Sequence, residues 1–154
     1  MDERVVLDEV DHRILTELER DGRMSIRTLA ERVHVSRANA YTRLSRLLDG
    51  GVIQGFGARV DPERAGLGTS VYVTAKIQQN SWREFRRHVA RLPEVRHVAL
   101  VGADFDVVLL VRTTDNAALR ELVLDRLQEI PGVLSTNTWI IFDELTQPGL
   151  HAPG

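Results

Sequence analysis

Residues 36 to 48 read Ser-Arg-Ala-Asn-Ala-Tyr-Thr-Arg-Leu-Ser-Arg-Leu-Leu. On a helix capped by Ser36, the side chains of Ala40, Leu44, Leu47 and Leu48 share one face, and Arg37, Ala38, Asn39, Thr42, Arg43 and Arg46 lie away from it. Those outward groups suit nucleic acid. A guanidinium matches the guanine edge or a phosphate, an asparagine amide matches the adenine edge, and a threonine hydroxyl serves either. Residues nearest the helix N-terminus reach deepest into a groove, so Arg37, Asn39 and Thr42 are expected on bases, with Ala38 beside them. Arg43, Arg46 and Arg27 are expected on phosphates, and Ser25 and Ser36 act partly as helix caps. A plain three-helix core accounts for the same apolar spacing with no DNA contact.

A second group lies at Gly102-Ala103-Asp104-Phe105-Asp106. A free amino acid needs carboxylates or carbonyls near its ammonium and amide or hydroxyl donors near its carboxylate, and this loop can offer both. Asp104 and Asp106 are the ammonium candidates, and Ser135, Thr136, Asn137 and Thr138 add polar side chains further along. Ordinary turn chemistry and ordinary strand composition produce the same residues. Other chemistries find no constellation. There is no cysteine, and His12, His34, His88, His97 and His151 lack the spacing of metal ligands, so neither a metal site nor a cofactor is expected. The nucleophile-elbow, Walker and zinc-protease motifs are missing, and Gly55-Phe56-Gly57 lacks the third glycine of a dinucleotide fingerprint.

The elements that must position these residues follow from periodicity. Leu7, Val10, Ile14, Leu15 and Leu18 mark a first helix, with Asp8 at its start and Asp21-Gly22 at its end. Ser25 caps a second, whose inner face is Ile26, Leu29, Ala30 and Val33, and Ser36 caps the third after a two-residue turn. Residues 52–60 read as an extended arm, and Asp61-Pro62-Glu63 as the first turn of a helical connector. From Thr69 the period changes to two, with Val71, Val73, Ala75 and Ile77 alternating with Tyr72, Thr74 and Lys76. A helix carrying Trp82, Phe85, Val89 and Leu92, strands over 95–101 and 106–112, a helix carrying Leu119, Leu122, Val123, Leu127 and Ile130, and a strand over 133–142 complete the chain.

The order β-α-β-β-α-β contains an echo: one helix leaves through Leu92-Pro93-Glu94-Val95 and the other through Ile130-Pro131-Gly132-Val133. Two such halves make a ferredoxin-like antiparallel sheet with both helices on one face. Tyr72, Trp139 and Ile141 would leave the opposite face partly apolar, and a homodimer is expected there. The fold class is therefore α+β, a winged-helix-like helix-turn-helix followed by a ferredoxin-like domain. The boundaries are 1–51 for the first domain, 52–68 for a strand hinge and linker, 69–143 for the second domain and 144–154 for a tail.

Composition bounds the partners. The 154 residues carry a net charge of −2, but residues 1–22 are acidic and residues 23–59 hold Arg23, Arg27, Arg32, Arg37, Arg43, Arg46 and Arg59 against Glu31 and Asp49. The second block can face phosphate, or be a solvated helix face. The longest wholly apolar run is 107–111, far short of a membrane span, and the acidic start is unlike a secretory signal. A cytoplasmic protein without a membrane partner is expected.

The chain resembles the Lrp/AsnC family of feast/famine regulators over nearly its whole length. The resemblance rests on Leu7-Asp8 through Asp11, Ile14-Leu15, Asp21-Gly22-Arg23, Leu29-Ala30-Glu31-Arg32-Val33, Val35-Ser36, Arg43-Leu44 with Leu47, and Gly51-Val52-Ile53-Gln54-Gly55. It implies a transcription regulator for double-stranded DNA, with a helix-turn-helix joined by a hinge to a domain that senses a small effector such as an amino acid. It also implies dimers that assemble further, often to octamers. The 102–106 loop resembles the Gly-x-x-Asp loop near the family's effector, and the resemblance places Thr136 and Thr138 in the same pocket across a subunit interface. One position departs: His34 stands where the family has glycine in the turn, so a left-handed backbone is expected there, at a cost of order ~1 kcal/mol. Siroheme decarboxylases share a similar two-domain plan and make His97 the residue of an enzymatic alternative, but they carry further His and Arg where this chain has 102–105. A sensing protein that has lost DNA binding is the third reading, opposed by the Arg37, Asn39, Arg43 and Arg46 face.

Overall fold

The computed structural model describes residues 5–145. They divide into two compact units that meet in sequence at Arg59 and Val60. The expected tail beyond residue 145 and His151 lie outside the described residues.

The first unit is three helices: α1 (Glu9–Arg20), α2 (Ile26–Val33) and α3 (Arg37–Asp49). Each begins on a side-chain cap. Asp8 Oδ1 accepts from the Asp11 N–H at 2.9 Å while Asp11 Oδ2 accepts from the Asp8 N–H at 3.1 Å, a reciprocal box that satisfies two otherwise orphaned donors. Ser25 and Ser36 accept from the Thr28 and Asn39 N–H groups, each at 3.1 Å. Ile14, Leu18, Leu29, Val33 and Leu47 form the core, and the buried Ala30 and Ala40 lie among them. Full burial of each large aliphatic side chain contributes about 1.5–3 kcal/mol.

His34 ends α2 at φ 59°, ψ 48°, the left-handed conformation its place in the turn calls for. The Val35 N–H donates to the Ala30 carbonyl at 3.0 Å and the His34 N–H to Glu31 at 3.4 Å. This pair of bonds closes a Schellman motif and aims the chain straight into the Ser36 cap. The arm expected over 52–60 has no ladder partner among the described residues and is not a strand, because a strand exists only through pairing. The helical connector is instead a compact turn, held by the Leu67 N–H on the Pro62 carbonyl at 2.8 Å.

In the second unit, β1 (Thr69–Ile77), α4 (Trp82–Val89), β2 (Val95–Leu100), β3 (Val107–Thr113), α5 (Asn116–Glu121) and β4 (Val133–Ile140) follow the expected order. The sheet is antiparallel, β2-β3-β1-β4. The two-halves echo survives as two equivalent turns, the Val95 N–H on Leu92 at 3.0 Å and the Val133 N–H on Ile130 at 3.1 Å. Odd-numbered residues of β1 and β3 pack under the helices with Phe85, Val89, Leu122 and Leu127. The expected single helix over 119–130 is not uniform: α5 widens into a π-helical segment, Leu122–Leu127. Leu122 and Leu127 are both buried, and they stand at the i, i+5 hydrogen-bond spacing that defines a π-helix.

Among the described residues, the sheet's other face has no helix over it. Tyr72 pairs with Trp139 across β1 and β4, and their side chains are 44% and 61% exposed. Ile140, paired with Val71, belongs to the helix-side face at the sheet edge, and Ile141 lies just past the end of β4.

Candidate nucleic-acid interface and effector loop

Helix α3 presents its candidates in two classes. Arg37, Ala38, Asn39 and Thr42 are exposed, and the Arg37 side chain has no partner among the described residues. Thr42 Oγ1 donates to the Ala38 carbonyl at 3.0 Å, so its methyl and an oxygen lone pair remain for a partner. Arg43 and Arg46 are differently placed. Arg43 Nη1 lies 2.8 Å from both oxygens of Asp8 and 2.8 Å from Asp11 Oδ1, and Arg46 Nη2 donates to Asp11 Oδ2. The Asp11 side chain is fully buried.

Of the three arginines expected on phosphates, Arg43 and Arg46 are thus ion-paired within their own unit. The charge of Arg43 is already matched by two carboxylates, so it offers a phosphate little net attraction, while Arg37 offers a full one. Arg43 Nε also donates to Asn39 Oδ1 at 2.7 Å, which leaves the Asn39 amide N–H groups free. The capping box of α1, exposed Asp8 with buried Asp11, therefore holds Arg43, which in turn holds a candidate base-reading residue on α3. Asp8, Ala38, Asn39, Thr42, Arg43 and Arg46 line one open concavity of about 440 Å³.

The electrostatics agree. Asp8 is lowered from 3.8 to about 2, first by the Asp11 N–H and then by Arg43. Arg43 is raised above its ordinary value by its hydrogen bonds to Asp8 and Asp11. Asp8 was legible in the sequence only as a cap, and Asp11 not as a site residue at all. The missed signal is matched spacing, two acids three apart, at the cap and in the first turn of α1, facing two arginines three apart on α3.

The remaining candidates sit on α2 and its cap. Arg27 pairs with Glu31 at 3.1 Å, and both side chains are mostly exposed. Such a pair contributes only about 0.3–0.5 kcal/mol and yields readily to a phosphate. Ser25 and Ser36 are exposed caps whose oxygens already accept from the backbone.

The 102–106 loop joins β2 to β3. Gly102, Ala103 and Asp104 are exposed, and Phe105 and Asp106 are half-buried. The two ammonium candidates separate here. Asp106 Oδ2 accepts from the Ile77 N–H at 2.9 Å, its own N–H donates to Ala75 at 3.0 Å and its carbonyl accepts from Val101 at 2.8 Å. Asp106 therefore fastens the loop to β1. Asp104 has no hydrogen bond or ion pair among the described residues and remains available to a cation.

Thr136 and Thr138 lie on β4 opposite Ala75 and Val73. Thr136 Oγ1 is 3.0 Å from Gln128 Nε2, which donates to it. Ala75 thus lies between Asp106 and Thr136, so the loop and Thr136 share one end of the sheet but stand two strand spacings apart, about 9–10 Å. Within one chain the structure does not close them into a single site. Among the described residues no group of three or more acidic or histidine side chains could hold a metal, and no helix is long and apolar enough to cross a membrane.

Comparison with known proteins extends these observations. Residues 7–48 match the sequence model of the AsnC-type helix-turn-helix domain, and residues 70–149 that of the Lrp/AsnC ligand binding domain. The chain is 32% identical over 147 residues to a proline dehydrogenase transcriptional activator of Rhizobium radiobacter, covering 94% of each. It is 34% identical over 144 residues to the leucine-responsive regulatory protein of Escherichia coli, covering 92% of this chain and 88% of that one. Among solved structures, a transcriptional regulator of Neisseria meningitidis in complex with L-methionine superposes with a TM-score of 0.85 at 28% identity, over 93% and 94% of the two chains. The leucine response regulatory protein of Mycobacterium tuberculosis superposes with a TM-score of 0.84 at 30% identity, over 96% and 100%.

Proposed function

This chain belongs to the Lrp/AsnC family of helix-turn-helix transcriptional regulators, and from that premise we propose that it reads a specific DNA sequence through α3 under the control of a small amino-acid effector. The family and these relatives are regulators of transcription and not enzymes, which removes the decarboxylase alternative built on His97. In this reading Arg37, Ala38, Asn39 and Thr42 meet base edges, and Ser25, Arg27 and Ser36 meet the phosphate backbone. Arg43 and Arg46, held by Asp8 and Asp11, position the helix and keep their outward N–H groups toward the phosphates. The observation that carries the reading is the exposed Arg37, Ala38, Asn39 and Thr42 face of α3, with the Arg37 guanidinium unpaired among the described residues and the Asn39 amide N–H groups free, beside the ion-paired Arg43 and Arg46.

The effector belongs, in this reading, at the 102–106 loop, with Asp104 taking the ammonium and backbone N–H groups of Gly102, Ala103 and Phe105 facing the carboxylate. The Neisseria relative's complex with L-methionine supports an amino acid as the class. The gap between the loop and Thr136 or Thr138 is filled when a second chain completes the site. The uncovered sheet face around Tyr72 and Trp139 supports a homodimer as that assembly, and the family resemblance extends it to higher oligomers such as octamers. The domain limits proposed are 1–51 for DNA, 52–68 for the hinge and 69–143 for sensing and assembly.

The test is an electrophoretic mobility shift with the gene's own upstream DNA and with random DNA, repeated with each of the twenty amino acids. Selective retardation that one amino acid changes is expected. Equal retardation of both DNAs at every salt concentration would sink the reading.

A further inference from the structure

Helix α4 carries a row of arginines that nothing in its unit neutralises. Arg83, Arg86 and Arg87 are exposed, and none has a hydrogen-bond or ion-pair partner from its side chain among the described residues. Helical geometry sets them together: Phe85 and Val89 are buried under the sheet, and Arg83, Arg86 and Arg87 fall on one adjoining flank, with Glu84 and His88 on the other. With Trp82 and Ala90 they line an open concavity of about 600 Å³. Arg91, exposed and likewise unpaired, extends the row by one turn.

The contrast with the helix-turn-helix unit is informative. There Arg27, Arg32, Arg43 and Arg46 each face a carboxylate. The side chains of Arg13, Arg23, Arg37 and Arg59 of that unit have no partner among the described residues but lie on separate elements, so the unneutralised arginines that adjoin on one helix are those of α4, in a chain whose net charge is −2. Like charges on adjacent turns are unfavourable in isolation and become favourable beside a polyanion.

We propose that the Arg83–Arg86–Arg87 flank of α4 is a second DNA contact that binds the phosphate backbone of duplex DNA independently of base sequence. The inference rests on the reading of this chain as a DNA-binding regulator. A guanidinium takes phosphate oxygens in a two-pronged geometry, and residues 83 to 89 span about 9 Å of helix, with Arg91 in the turn just beyond, enough to meet successive phosphates. The indole of Trp82 at the rim offers an apolar surface to deoxyribose. The concavity is open and its lining has no acidic or hydroxyl side chain that could grip the rest of a small anion, which favours an extended polyanion over a metabolite.

The experiment measures affinity by fluorescence anisotropy for the full chain, with labelled upstream duplex and a random duplex of equal length, across a range of salt. The triple variant Arg83→Gln, Arg86→Gln, Arg87→Gln is expected to flatten the slope of log affinity against log salt by up to about 2.7, and Arg87→Gln alone by about 0.9. Both should weaken upstream and random DNA alike, leaving their ratio unchanged, with wild-type melting temperature and helicity. Unchanged slopes in both variants would overturn the proposal. So would a loss of oligomer mass in the triple variant without DNA, which would assign the flank to a second copy. An inorganic pyrophosphate-induced rise in melting temperature that the triple variant abolishes, with DNA slopes intact, would assign it to a small anion. A wild-type protein that lacks any preference for upstream DNA yet shows the α4-dependent slope would defeat the sequence-reading proposal and leave this one standing.

Discussion

Asp11 and Arg43, thirty-two residues apart in sequence, are joined at 2.8 Å, and the carboxylate of the pair is fully buried. A buried carboxylate persists only when its lone pairs are satisfied, and here Arg43, Arg46 and the Asp8 N–H satisfy them. The pair ties the N-terminus of α1 to the outer face of α3. It therefore fixes the orientation of the helix proposed to face DNA.

Replacing Asp11 by Asn should lower stability by about 1–3 kcal/mol, the range for losing hydrogen bonds to a charged group, because both arginines can still reach water. Urea unfolding measures it. Were Arg43 and Arg46 simply waiting for phosphate, the same substitution would leave the unfolding midpoint where it was and strengthen DNA binding.

Asp8 gives the cluster an acid limit. Its folded value, about 2, lies below the ordinary 3.8, so the folded state holds the carboxylate charged more firmly than the unfolded chain does. The stabilisation is complete above about pH 4 and is lost as pH falls from there through the folded value. Melting temperature should fall across that window in the wild type, and the Asp8-dependent part of the fall should vanish in Asp8→Ala. A fall of equal size in both proteins would detach the cap from acid sensitivity.

Much of this was legible beforehand, for physical reasons that differ by element. The caps Asp8, Ser25 and Ser36 and the alternation of β1 are local signals, and the sequence carries them whole. The π-helical segment at 122–127 was not legible, since Leu122, Val123 and Leu127 also suit an α-helix and only packing selects the wider turn. The use of Asp106 to hold Ile77, and of Arg43 to hold Asn39, depends on tertiary approach. A residue's type announces what it can bind, and the fold decides whether that capacity is already spent on its own chain.

His34 lets the turn be tested directly. Its left-handed backbone costs a non-glycine residue of order ~1–2 kcal/mol, which glycine escapes at the expense of a more flexible unfolded chain. His34→Gly should raise stability by up to about 1 kcal/mol, and His34→Val should lower it by more than that. Denaturant midpoints decide. A destabilised glycine variant would mean that the imidazole makes a contribution the turn geometry does not account for.

Specificity should separate cleanly from affinity on α3. Asn39→Ala and Arg37→Ala remove side chains proposed to meet base edges, and each should cost about 1–3 kcal/mol of discrimination between the operator and its single-base variants. Arg27→Ala should weaken all sequences about equally and reduce the salt slope by about 1. Binding of a panel of single-base operator variants reads both quantities. If Arg37→Ala weakened every sequence uniformly, Arg37 would be a phosphate contact instead.

The loop offers the sharpest division of labour between neighbours. Asp106 accepts the Ile77 N–H, so Asp106→Ala leaves a part-buried donor without its partner and should cost about 1–3 kcal/mol of stability. Asp104 is exposed and unpaired among the described residues, so Asp104→Ala should change stability by less than about 0.5 kcal/mol. Its effect should appear only with an amino acid present, as loss of the ligand-induced rise in melting temperature. An Asp104→Ala protein that still gains the full rise would exclude the carboxylate from the effector site, and a rise lost only with Asp106→Ala would move the ammonium partner two residues along the loop.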